Sequence, residues 1–192
     1  MRLLILLLAV GTCRQPKDKV VKIPKPTPAR YVGATNPAFS RRQDSLYYGQ
    51  DRFSGCVYNL YANGDTQTTV SYLNGLEEGF TRKWYPNKQL AEERLYVDGK
   101  KEGVHKAWWG DGRPKFIFDV SNDEYVGELK EWYPSGLLAK DFHYEKGQEE
   151  GSERLWWDDG SVRANYVVKK GKKYGLIGIK LCKNPYDSIN KK

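Results

Sequence analysis

The groups that could perform acid–base or metal chemistry are few, and their spacing does not favour catalysis. The two histidines are His105 and His143. In the sheet predicted below they would share the solvent face about 14 Å apart, too far to bind one metal ion. Adjacent carboxylates point to opposite faces of a strand or are solvated in turns: Glu92-Glu93, Glu149-Glu150 and Asp158-Asp159. Because no nucleophile–base motif or phosphate loop is found either, we expect no enzymatic activity, metal or cofactor.

Aromatic side chains offer a second kind of chemistry, which is recognition by stacking. Five rings recur every 24 residues among charged neighbours: Tyr61, Tyr85, Trp109, Tyr133 and Trp157. Residues two strands apart in a sheet are separated by about 10 Å, so this row could stack on an extended peptide or a glycan. The competing interpretation is that each ring packs beside a turn and shields a hairpin end. The row is the predicted partner-binding surface.

These rings belong to a 24-residue unit that repeats without a change of length. Glycines open successive copies: Gly55, Gly79, Gly103, Gly127, Gly151 and Gly175. Counting offsets from this glycine, the rings lie at offset six. Further glycines occupy offset nine in four of the five complete copies and offset twenty in four. A fixed period of this length is typical of stacked-repeat proteins.

The turn residues predict two hairpin connections in each copy. Offsets seven to nine suit a three-residue turn that ends on a left-handed residue, and Lys88, which replaces the usual glycine, should be strained. Offsets nineteen and twenty, as in Asn74-Gly75, predict the second turn. If offset six pairs with offset ten, the odd offsets of both strands share one apolar face. Offset five then belongs to the expected core: Leu60, Trp84, Trp108, Trp132 and Trp156.

The predicted fold is all-β, an elongated single-layer antiparallel meander of five 24-residue β-hairpin repeats. Residues 45–49 are predicted to cap its first hairpin, and residues 176–182 to form its last strand. So large an apolar face is rarely left exposed to solvent. It could be buried by strong twisting of the sheet onto itself, by the N-terminal tether folding back, or by a partner. The net charge of +8 is concentrated at the two ends of the chain. No nucleic-acid readout motif accompanies this charge, so we expect no nucleic-acid partner.

The repeat resembles the bacterial variant of the MORN repeat, as found in YwqK-like proteins. The resemblance rests on the opening glycine, the Trp-Tyr or Trp-Trp pair at offsets five and six, the turn glycine, and a Tyr-x-x-Gly ending such as Tyr96 and Gly99. It implies an elongated, twisted sheet of hairpins that acts as a protein-interaction scaffold. Proteins of the YwqK-like type are often named as antitoxins of toxin–antitoxin systems.

The N-terminus has the features of a bacterial lipoprotein signal. Arg2 precedes an apolar run at residues 3–10, which is too short to cross a bilayer and ends before Cys13. This pattern predicts a signal peptide at residues 1–12 and lipid attachment at Cys13, although an ordinary cleaved signal is the alternative. The rest of the predicted organisation is a Pro/Lys-rich tether at 13–44, the repeat domain with capping strands at 45–182, and a basic tail at 183–192.

These features together predict an envelope-anchored repeat scaffold for protein–protein interaction. The N-terminal lipid would hold it on a bacterial membrane, facing the periplasm or the cell exterior. Two alternatives are an antitoxin or immunity protein that neutralises a toxin, and a cell-wall glycan binder that uses the offset-six rings. The expected partner is therefore another protein, with a glycan as the alternative ligand.

Overall fold

The protein is all-β over the part of the chain that the structure describes. This structure is a computed structural model that describes residues 22–178, a range in which sixteen strands and no helix occur. Consequently, these residues include no helix long and apolar enough to cross a membrane. The strands are β1 (Tyr31–Gly33), β2 (Phe39–Arg42), β3 (Ser45–Tyr48), β4 (Asp51–Arg52), β5 (Gly55–Leu60), β6 (Thr66–Leu73), β7 (Leu76–Trp84), β8 (Leu90–Val97), β9 (Lys100–Trp108), β10 (Pro114–Ser121), β11 (Glu124–Trp132), β12 (Leu138–Glu145), β13 (Gln148–Glu149), β14 (Gly151–Trp156), β15 (Val162–Lys169) and β16 (Lys172–Leu176).

Most strands belong to one 13-stranded sheet in which neighbours follow chain order. From β5 to β12, and on through β14, β15 and β16, each strand pairs antiparallel with the next. The short strand β13 also pairs with β12. At the N-terminal end of the sheet, β1 is the outermost strand and pairs parallel with β5. Strands β2, β3 and β4 form a separate three-stranded sheet. The sheet is thus long and mostly antiparallel, with one parallel pair.

Two kinds of turn connect the strands of the main sheet. In the three-residue turns, the N–H of Tyr85 donates to the carbonyl of Gln89 and the N–H of Lys88 to that of Tyr85, each at 2.9 Å, and four other turns repeat both bonds. The predicted pairing of offset six with offset ten is therefore confirmed, and Lys88 is left-handed with a φ of 66°. The two-residue turns, such as Asn74-Gly75 with φ values of 51° and 84°, have the two left-handed residues of a type I′ turn.

A bulge beside each three-residue turn changes which side chains are buried. Trp84 pairs with Leu90 as predicted, but Lys83 pairs with Glu92, so Ala91 is an extra residue. The four other hairpins carry the same shift. Because one inserted residue reverses the alternation, the even offsets of the first strand share a face with the odd offsets of the second. The prediction that odd offsets of both strands form the core is wrong for the first strand.

The buried face is consequently lined by offsets two and four of the first strand and by offsets thirteen, fifteen and seventeen of the second. Its largest cluster spans β10 to β15: Phe118, Val120, Leu129, Phe142, Ala164, Tyr166 and Val168. The tryptophans at offset five are half-buried rather than core residues, and Leu60 is exposed. Aromatic pairs such as Phe118 and Tyr125, with ring centroids 5.2 Å apart, continue this packing towards the two-residue turns.

The opening glycine lies in a second bulge, between one hairpin and the next. Val70 pairs with Thr81 and Tyr72 with Glu77, so that residues 78–80 lie opposite one residue of β6. Gly79 has a φ of 87° there, a left-handed conformation that side chains with a Cβ rarely adopt. This bulge explains why a glycine recurs inside strands, where glycine is otherwise unfavourable.

The small sheet of β2, β3 and β4 covers the buried face of the first hairpin. Leu46 and Phe53 are buried there against Tyr72, and the N–H of Leu46 donates to the carbonyl of Gly75 at 2.8 Å. The predicted cap at residues 45–49 therefore covers the face of the sheet, whereas β1 takes the edge position beside β5. Strands β1 and β2 lie inside the range 13–44 that was predicted as a tether.

The last described strand, β16, is exposed along its whole length. It precedes the boundary at residue 178. The predicted signal peptide, the lipid site at Cys13, the end of the predicted last strand and the basic tail lie outside the described residues.

Candidate binding site

The ring edge is the long edge of the main sheet that contains the three-residue turns and the offset-six rings. Each ring directly precedes its turn, because the two turn hydrogen bonds both involve the offset-six backbone. Four of the rings are half-buried, and Trp157 on the last hairpin is 42% exposed. The predicted row therefore lies along a single edge, one ring for each hairpin.

Polar tips of the rings link each hairpin to the next one. The hydroxyl of Tyr61 donates to the carbonyl of Trp84 at 2.7 Å, and that of Tyr85 donates to the carbonyl of Trp108 at 3.0 Å. The next two links have the same 23-residue separation: Trp109 Nε1 to the Trp132 carbonyl at 3.3 Å and Tyr133 hydroxyl to the Trp156 carbonyl at 2.9 Å. These four rings consequently support the packing of the hairpins whether or not they bind a partner.

The two tryptophans of the row differ from the tyrosines in their charged neighbours. Lys115 Nζ lies 4.5 Å from the ring centroid of Trp109, and the guanidinium of Arg163 lies 4.6 Å from that of Trp157. Both cations come from the extra residue of the bulge at offset twelve. Trp157 therefore presents an exposed ring next to a cation, an arrangement that suits a planar or anionic group of a ligand.

The turn edge is the opposite long edge, which contains the two-residue turns and the residues at offset twenty-three. Glu78 is 1% exposed and Glu102 is 3% exposed, so both carboxylates need partners. The N–H of Asp98 donates to Glu78 Oε2 at 2.6 Å, and the N–H of Asn122 donates to Glu102 Oε2 at 2.9 Å. Each buried carboxylate thus accepts a hydrogen bond from the turn of the following hairpin.

The same link recurs in other copies. The N–H of Lys170 donates to Glu150 Oε2 at 3.2 Å, and the N–H of Asn74 donates to Ser54 Oγ at 2.8 Å. The adjacent Glu149 binds Lys173 Nζ at 2.7 Å. The side chains of Glu149 and Glu150 are therefore both half-buried and bonded. A glutamate immediately before the opening glycine was the sequence signal for this row.

The N-terminal segment, defined here as residues 22–30, contacts the turn edge. The N–H of Lys25 donates to Glu78 Oε1 at 2.6 Å, and its Nζ donates to Asp98 Oδ1 at 2.5 Å. Lys22 Nζ lies 3.8 Å from Glu102 Oε2. The segment is anchored at its other end because the N–H of Cys56 donates to the carbonyl of Arg30 at 2.7 Å.

His105 lies in the buried face, which contradicts the prediction that it shares the solvent face with His143. It is fully buried, and its Nε2 donates to the carbonyl of Leu95 at 3.1 Å, which leaves Nδ1 unprotonated in the neutral ring. Burial lowers the pKa of His105, and the charge of Arg94 adds to this effect. The bulge at offset twelve explains the error, since it turns the even offsets of the first strand inward.

Glu153 occupies the same offset two in the last hairpin and is also fully buried. Its carboxylate accepts the N–H of His143 at 3.3 Å, a weak bond for a buried charge. Burial raises the pKa of Glu153 to about 7, although the His143 N–H acts in the opposite direction. Leu129, at offset two of the preceding hairpin, shows that an apolar side chain also fits this position.

The described residues do not assemble a metal site. Over residues 22–178, no group of three or more His, Cys, Asp and Glu side chains is placed to hold a metal ion. Buried carboxylates of this part of the chain, such as those of Glu78 and Glu102, instead accept hydrogen bonds from the backbone of neighbouring hairpins. The arrangement is suited to holding neighbouring hairpins together.

Comparison with known proteins adds no family to this geometry. No family model matches the chain, and no curated protein matches it significantly. The MORN-like assignment therefore stays a prediction that rests on the residues of the repeat.

Proposed function

We propose that the chain is an elongated, single-layer array of five 24-residue hairpin repeats that acts as an envelope-anchored scaffold for another protein. The offset-six row on the ring edge is its partner-binding surface, with Trp157 as the main anchor. The observation that supports this proposal best is the exposed ring of Trp157 at the end of an edge along which the other four rings recur, one to a hairpin.

Several properties of the ring edge support a binding role. A tryptophan beside a cation combines a large apolar surface with charge, a combination enriched at interface hot spots. Successive rings two strands apart are separated by about 10 Å, which corresponds to three residues of an extended peptide. An extended partner segment could therefore contact rings of neighbouring hairpins at once. The same spacing supports a cell-wall glycan as the second candidate, because sugar rings also stack on tryptophan.

Truncation of Trp157 tests the binding surface. Full-length protein would be isolated from detergent-solubilised envelopes, and its co-purifying partners compared between wild type and Trp157→Ala. We expect loss of a stoichiometric partner with no loss of folded protein, because Trp157 is exposed. Trp109 is less suitable, since its Nε1 bonds to Trp132 and its removal would also weaken the fold. Tyr174→Ala, which removes a ring that is 56% exposed on the turn edge, is the matched control.

The outcome distinguishes the proposed functions. A stoichiometric protein that is lost from Trp157→Ala but retained by Tyr174→Ala supports the scaffold. If that protein is a toxin neutralised by this chain, the antitoxin alternative is correct. Retention on peptidoglycan that depends on Trp157 supports the glycan binder. Equal recovery of partners by both variants would refute the ring edge as the site.

Membrane attachment has its own test. Cys13→Ser should release the protein from membranes, because the lipid on this cysteine is proposed to be its anchor. Fractionation of cells that express either form measures this effect. An unchanged membrane fraction would refute the lipid anchor without affecting the binding proposal.

A further inference from the structure

The N-terminal segment crosses the ends of two neighbouring hairpins at the turn edge. Lys25 contacts Glu78 and Asp98, and Lys22 lies beside Glu102. Glu78 and Glu102 are equivalent residues of consecutive repeats. The segment therefore meets the same chemical group twice, once with each lysine.

The spacing of the two lysines matches the spacing of the repeats. Residues 22–28 contain Pro24, Pro26 and Pro28, and proline favours an extended polyproline II backbone with about 3.1 Å per residue. Three residues then cover about 9 Å, close to the distance across two strands of about 10 Å. Pro24 and Thr27 are half-buried while their neighbours are exposed, so one side of the segment faces the protein every third residue.

The glutamates of the turn edge are more deeply buried than the lysines of the N-terminal segment that contact them. Glu78 and Glu102 are almost fully buried, and each accepts a backbone hydrogen bond from the next turn. By contrast, the side chains of Lys22 and Lys25 are 49% and 57% exposed. Exposed ion pairs contribute little, whereas a preorganised acceptor lowers the cost of binding. A second segment of the same chemistry could therefore replace the one that is bound.

We propose that the turn edge at Glu78, Asp98 and Glu102 is a recognition site for an extended basic segment of a partner protein. The segment it fits contains proline and carries two lysines three residues apart. The chain's own residues 22–28 compete for this site and thereby set the threshold for partner binding. This site is separate from the ring edge, so it stands or falls independently of the function proposed above.

The test measures binding of a labelled synthetic peptide with the sequence of residues 22–28 to the full-length protein. In Lys22→Ala/Lys25→Ala protein, the internal competitor is weakened, and we expect the peptide to bind at least roughly fivefold tighter than to wild type. Adding Asp98→Asn or Glu102→Gln should weaken this binding severalfold. Asn already occupies the position of Asp98 in two other repeats, at Asn74 and Asn122, so this variant keeps the left-handed turn.

Control variants make the result specific. Glu150→Gln changes an equivalent offset that the N-terminal segment does not reach, and Trp157→Ala changes the ring edge; both should leave peptide binding unchanged. Equal affinity for wild type and the double-lysine variant would overturn the proposal. So would equal binding of a peptide in which both lysines are glutamine. Dimers of wild type that the double-lysine variant lacks would assign the site to a second copy of the chain and overturn the partner assignment.

Discussion

Replacing Glu153 by glutamine should remove a pH dependence of folding stability. The side chain has no exposed surface, and burial raises its pKa from an ordinary value of 4.5 to about 7. The folded protein therefore holds this proton to a higher pH than the unfolded chain does. The stabilisation that results is complete below pH 4.5 and is lost as the pH rises through about 7. Glutamine keeps an oxygen that can accept the N–H of His143 but does not titrate.

The expected magnitude follows from the two pKa values. Each pH unit between them changes the free energy of unfolding by about 1.4 kcal/mol. The wild-type chain should therefore lose at most about 3.5 kcal/mol relative to Glu153→Gln as the pH rises through this window. The N–H of His143 and the charges of Lys173 and Lys140 oppose the pKa increase, and their effect is already contained in the value of about 7. Between about pH 5 and pH 8 the expected relative loss is on the order of 3 kcal/mol.

Urea unfolding followed by far-UV circular dichroism, at several values between about pH 5 and pH 8, measures this difference. Only the difference between wild type and variant is used, because other titrating groups then cancel. Glu128→Gln is the control: this exposed carboxylate on β11 has its pKa lowered by Lys130, so its replacement should not stabilise the protein at high pH. Parallel pH profiles for wild type and Glu153→Gln would refute the buried-charge argument.

Three further substitutions test other contacts by the same unfolding assay. Tyr133→Phe removes the hydroxyl that donates to the carbonyl of Trp156 at 2.9 Å and should destabilise the protein by about 1 kcal/mol; no change would show that this link is not stabilising. Lys88→Gly removes the backbone strain of a left-handed residue with a Cβ and should stabilise the protein by about 1 kcal/mol. Loss of the exposed ion pair with Asp65 should reduce this gain slightly, and a net destabilisation would contradict the strain argument. His105→Leu should gain stability relative to wild type as the pH falls below 6.5, since the lowered pKa of His105 means that stability is lost with protonation; a pH-independent difference would exclude this effect.

The turns were predictable from the sequence because their conformations demand particular residues. The left-handed positions at offsets nine and twenty each carry glycine in four of the five copies, so the type and location of the turns could be deduced. The bulge at offset twelve gives no such signal. Its extra residue differs in chemistry between copies: Gln67, Ala91, Lys115, Ala139 and Arg163. Because this extra residue could not be predicted, the even offsets of the first strand were assigned to the wrong face, and His105 was predicted to face solvent.

The ring row was predictable from its period, but the contacts of its members were not. The hydroxyl of Tyr61 reaches the carbonyl of Trp84, 23 residues later, only because the three-residue turns of neighbouring hairpins are aligned along the sheet. The buried row of Glu78 and Glu102 was missed for a similar reason, since a glutamate before a glycine usually indicates a solvated turn. Its burial depends on a backbone N–H that the next hairpin supplies. The many prolines of residues 13–44 likewise concealed β1 and β2.

Hydrogen bonds along both edges link neighbouring hairpins, and within residues 22–178 the first and the last hairpin differ in what covers them. At the first end, β1 pairs with β5 and the small sheet buries Phe53 and Tyr72. At the last described hairpin, β16 is exposed throughout, and the ring of Trp157 is exposed whereas the other four offset-six rings are half-buried. In an array stabilised by nearest neighbours, the hairpin with the fewest such contacts opens most easily. The ring best placed to bind a partner therefore belongs to the hairpin that gains most stability when a partner binds.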